Sequence, residues 1–87
     1  MKVLLLQKLL PQIERLDPIN INIDFPVGSE SIYINIEYHT DNSSTDILKL
    51  RISNHRHPST FNGLDIYSGD MVAQLKRKVD QILWPGQ

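Results

Sequence analysis

The stretch Ile52-Ser53-Asn54-His55-Arg56-His57-Pro58-Ser59 holds the densest group of chemically able side chains in the sequence. Three chemistries can be asked of it. His55 and His57 form an H-x-H pair, and in an extended segment both imidazoles project to one side, as a zinc site requires. Two imidazoles with a guanidinium are also the set for metal-free RNA cleavage. One ring takes the 2′-hydroxyl proton, the other protonates the leaving oxygen, and Arg51 or Arg56 steadies the phosphorane charge. The third use involves no reaction, because Tyr and Arg concentrate at the hot spots of protein interfaces. The bland alternative is a polar strand end, with each histidine solvated or bonded to a nearby carbonyl.

Which of these holds depends on what the surrounding elements bring to the stretch. Residues 2–16 carry Leu5, Leu6, Leu9, Leu10, Ile13 and Leu16 at helical spacing. Pro11 interrupts them and predicts a kink or break, since proline removes an amide donor and crowds the carbonyl four residues back. Residues 19–25 alternate strictly between apolar and polar, the mark of a half-buried strand. A second strand is expected from about Ser31 to His39 and a third from about Asp46 to Ser53, joined by a polar loop over residues 40–45. Residues 54–68 read as a long loop, tacked down by Phe61, Leu64, Ile66 and Tyr67, with a short edge strand conceivable at residues 64–67. Ser68 is a candidate N-cap, and Asp70 suits the first turn of a final helix ending at Trp84, before Pro85-Gly86.

The order α-β-β-β-α predicts one α+β domain over residues 1–87. It is a two-layer sandwich with a three-stranded antiparallel sheet, both helices on one sheet face, and the other face open to water. Parity then sets the register. The expected polar rows are Asn20/Glu37, Asn22/Asn35/Lys49 and Asp24/Tyr33/Arg51. The last row lies at the same end as the histidine stretch, and so gathers Asp24, Tyr33, Arg51, Ser53, His55 and His57.

This geometry ranks the three chemistries. A metal needs a third ligand, and His39 sits at the far end of the hairpin, on the order of tens of Å away at ~3.3 Å per strand residue. Asp24 or Asp65 would have to serve instead, so no metal site is assigned. The catalytic set for the ribonuclease reading is His55, His57 and Arg51. Against it stands the charge, with 9 basic and 10 acidic residues and a net charge of −1, because phosphate contacts dominate RNA affinity. The residue types resemble those of small metal-free toxin ribonucleases on open sheet faces.

The element order is similar to that of the double-stranded-RNA-binding domain. That family starts its last helix with lysines just after the third strand. Here a long loop intervenes, and Lys76-Arg77-Lys78 falls within the helix, where a solvated face is expected. In size and character the chain also resembles the small inhibitor proteins of phages and other mobile elements, anti-CRISPR proteins among them, a likeness that implies a macromolecular target and assigns no residue roles.

The favoured expectation is a non-enzymatic binding domain whose partner is a protein or ribonucleoprotein complex, with nucleic acid as the alternative partner. It docks through Tyr33, Arg51, His55, Arg56, His57, Asp24, Asn35 and Lys49. The chain has no cysteine, which excludes disulfides and thiolate metal sites. No phosphate-loop, dinucleotide or nucleophile-elbow motif occurs, and no cofactor is expected. The leucine run near the N-terminus is broken by Gln7 and Lys8 and lacks a small-residue cleavage site, so a cytoplasmic protein without a membrane span is expected. Apolar residues around much of the first helix suggest a homodimer interface there.

Overall fold

The computed structural model describes residues 2–55, 60–67 and 69–86. Helix α1 spans Lys2–Glu14, strands β1 to β4 span Asn20–Asp24, Ile32–His39, Thr45–Ser53 and Leu64–Tyr67, and helix α2 spans Met71–Leu83. The first three strands form the expected antiparallel meander. The sheet has a fourth strand, however, in the order β1-β2-β3-β4, and β4 runs parallel to β3. The sheet is therefore mixed and four-stranded rather than antiparallel and three-stranded. A parallel pair needs a crossover between its strands, and the segment expected as a loop supplies that crossover.

α1 runs unbroken through Pro11 to Glu14. It then tightens through three successive backbone bonds, ending with Asp17 N–H to the Glu14 carbonyl, before Asp17 takes a positive φ of 50°. α2 begins at Met71, so Asp70 occupies the N-cap position itself. Ser68, the expected cap, lies outside the described residues.

One sheet face carries the core. Ile32, Ile34 and Ile36 of β2, Leu48, Leu50 and Ile52 of β3 and Ile66 of β4 bury against Leu6, Leu9 and Ile13 of α1 and Leu75 and Val79 of α2. Each such side chain contributes roughly 1.5–3 kcal/mol on leaving water. Both helices lie on this face and pack on each other. Beyond the core, Arg15 at the end of α1 meets the Asp80 carboxylate of α2 and stacks on Trp84, its guanidinium carbon 5.4 Å from the ring centre. No helix is long and apolar enough to cross a membrane among the described residues.

Candidate functional site

The register follows the sequence parity. Asn20 pairs with Glu37, Asn22 with Asn35 and Asp24 with Tyr33; across the other edge of β2, Asn35 pairs with Lys49 and Tyr33 with Arg51. The three polar rows therefore stand side by side on the face turned away from the helices. Asn20, Asn22, Asp24, Asn35 and Lys49 are all exposed there.

One end of that face is not open. The crossover from β3 to β4 passes over it and lays Phe61 on the Asp24/Tyr33/Arg51 row. The Arg51 guanidinium carbon sits 4.9 Å from the Phe61 ring centre, and the Tyr33 and Phe61 centres are 6.1 Å apart at 57°. Arg51, expected as a projecting contact residue, is only 5% exposed. Its guanidinium forms a two-point pair with Asp65, donating from Nε to Oδ1 at 3.1 Å and from Nη2 to Oδ2 at 2.7 Å. The two residues are register partners on adjacent strands. The hydrogen bonding of its guanidinium to Asp65, assisted by Tyr33, outweighs desolvation and raises the Arg51 pKa above its ordinary value. Arg51 is thus a buried cation that ties the crossover strand down, and Tyr33, half-buried, is part of the same assembly. In the next row outward, the hydroxyls of Ser31 and Ser53 are 2.8 Å apart and both residues are buried.

The histidine stretch divides. His55 is exposed, with Nε2 3.8 Å from the Glu30 carboxylate, itself exposed. Such a pair has charge on both sides only when the imidazole is protonated, and at the surface it is worth little. Arg56, His57 and Pro58 lie outside the described residues. The ribonuclease set of His55, His57 and Arg51 therefore has one ring at the surface and its guanidinium committed to Asp65 beneath Phe61. A phosphorane could reach that guanidinium only if Phe61 left. His39 pairs with Thr45 at the opposite end of the hairpin, far from His55 as expected. Among the described residues, no group of three or more histidine, aspartate or glutamate side chains is placed to hold a metal. Neither Asp24, exposed on the edge strand, nor Asp65, bound to Arg51, completes one with His55.

Sequence reasoning named Phe61 as a tack for the loop and Asp65 only as a substitute metal ligand, and missed that both engage Arg51. Asp65 is the lone charge in Leu64-Asp65-Ile66-Tyr67, between two residues that must face the core, so parity alone places it on the opposite face. The missing knowledge was that β4 lies beside β3, which makes Arg51 its neighbour. No protein-family model, curated protein or solved structure matches the chain.

Proposed function

We propose that the chain is a non-enzymatic binding domain that docks a protein, alone or within a ribonucleoprotein, through the uncovered part of its polar sheet face and the adjoining segment of residues 54–58. The observation that carries this reading is the exposed block Asn20, Asn22, Asp24, Asn35 and Lys49, held on paired strands with no helix over it. Side-chain amides presented on a rigid sheet offer donors and acceptors in fixed positions, which gives orientation at low entropic cost. β1 is also an edge strand, with one side of its backbone free of any strand partner among the described residues. The resemblance in size and character to small mobile-element inhibitors makes inhibition of a larger complex the first role to assay.

The structure's arrangement changes which residues to vary. Arg51→Ala and Tyr33→Ala would disturb the crossover, so loss of binding in them would not report on contact. Asn22→Arg and Asn35→Arg place bulk and charge on the exposed row and leave the core untouched. Capture from source-cell lysate with wild-type protein and each variant is the test. The reading expects a co-purifying partner that both variants lose while their circular dichroism stays unchanged; a partner retained at wild-type levels by both variants sinks it.

A further inference from the structure

β3 is nine residues long, and β4 covers only its last four. Apart from Leu48, which faces the core and is buried, burial follows that division. Residues 50–53 are all buried, while Thr45, Asp46, Ile47 and Lys49 are exposed, Ile47 at 51%. The cause is at Asn62-Gly63, where the chain leaves the line of β4 to reach Phe61 on the open face. Beyond that point the outer edge of β3 has no strand beside it among the described residues.

The edge can be oriented. Successive residues of a strand turn their backbone groups to opposite sides. The Lys49 carbonyl lies against Gly63, on the β4 side, so Ile47 turns its amide and carbonyl the same way, into the vacant line. The Ile47 amide is not idle. It donates to Oδ1 of Asp46 at 2.8 Å, so the preceding side chain stands where a neighbouring strand's carbonyl would accept. Beside this edge lies a groove of about 370 Å³, bounded by Asp46, Ile47, Lys49, Gly63, Lys78 and Ile82. The two lysines have no ion-pair partner among the described residues, and the one acidic group in the groove is spent on the amide.

We propose that residues 45–49 of β3 are a strand-addition site for an acidic extended peptide, which enters as a short extra strand in the line that β4 vacates. Backbone pairing to residues 45 and 47 supplies register, since the Lys49 carbonyl already lies against Gly63. Lys49 and Lys78 select carboxylates on the incoming chain, and Ile82 meets an apolar residue between them. Asp46 is the gate, because its carboxylate occupies the Ile47 amide and repels the peptide's charge. The inference uses the opposite edge of the sheet from β1 and shares Lys49 with the sheet-face reading, so Lys78→Glu alone, at a residue that reading does not use, separates the two.

The test is a displayed library of short random peptides panned against the whole chain, followed by amide shift mapping with the selected peptides. Expected are sequences enriched in Asp and Glu that perturb the amides of residues 45 and 47. Lys49→Glu/Lys78→Glu should weaken them about tenfold or more, as loss of complementary charge does. Asp46→Ala should tighten them, a sign that a merely structural Asp46 would not give. Circular dichroism checks that both variants fold. Peptides that shift only β1 and β2 amides overturn the proposal and leave the sheet-face reading standing. Protection of residues 45–49 that grows with protein concentration and without peptide overturns it in favour of a second copy. Recovery of no binder, or of binders without acidic enrichment, overturns it as well.

Discussion

The buried pair of Arg51 and Asp65 makes an asymmetric prediction. The Arg51 side chain is 6% exposed and the Asp65 side chain 26%. Asp65→Asn takes the carboxylate away from a guanidinium that is nearly shut off from water and leaves it Tyr33 and a neutral amide, and removing one partner of a buried pair costs ~3–5 kcal/mol. Arg51→Met takes the cation away from a carboxylate that is one-quarter wet and keeps an apolar stem under Phe61, so the loss is nearer ~1.5–3 kcal/mol, in the range of one charge-assisted hydrogen bond. Arg51→Met/Asp65→Leu removes both charges together, and such replacements are often neutral or better, so it should fall within ~1 kcal/mol of wild type. The double variant is therefore more stable than the Asp65 single variant by about 2–6 kcal/mol, the difference of those estimates. A domain of this size has a total stability of roughly 4–13 kcal/mol, and a 3 kcal/mol loss lowers Tm by ~12–24 °C. Urea unfolding followed by far-UV circular dichroism at constant m reads all three variants. A cost below ~1 kcal/mol for Asp65→Asn, or additive single-variant costs, refutes the claim that this pair holds β4 to the sheet.

Two further outcomes follow from particular contacts. A Cβ at Gly63 would lie 2.6 Å from the Lys49 carbonyl oxygen and 2.7 Å from the Phe61 ring, so Gly63→Ala should destabilise by ~1–3 kcal/mol, as overpacking does; chemical unfolding indistinguishable from wild type would show that the crossover is not pinned there. The Asp80 carboxyl is held below its ordinary value by hydrogen bonds from Arg15 first and Lys76 second. A depressed folded pKa means that the unfolded chain binds the proton more readily, so this stabilisation is present above the unfolded value near ~3.9 and fades as pH falls through the folded one. Asp80→Asn should accordingly flatten the acid limb of Tm against pH below about 4, and less so in high salt; superimposable limbs for the two proteins would remove Asp80 from the account.

The meander was legible because parity is a strong constraint. Three runs of alternating residues place Ile34 against Ile23 and Leu50 in only one way that turns Ile32, Ile34, Ile36, Leu48, Leu50 and Ile52 to one face, and the polar rows follow from it. The fate of Arg51 was not legible, since it depended on which face the crossover took and on β4 lying parallel to β3. Neither is encoded by alternation within residues 64–67, which fits an edge strand of either direction. The break conceivable at Pro11 does not occur, for a related reason. The local cost of proline to a helix is real, but Leu9 and Ile13 on either side are fully buried, and packing carries the helix through.

The short length of β4 has a consequence in competition terms. β4 is itself a tethered occupant of half the β3 edge, held at a high effective concentration by the crossover. An incoming strand confined to the first three residues of β3 meets no rival. A longer one must displace the tether and break the Arg51–Asp65 pair to gain each further rung. Affinity for this edge should thus rise with peptide length and then stop rising, with the plateau set by where Gly63 turns the chain away.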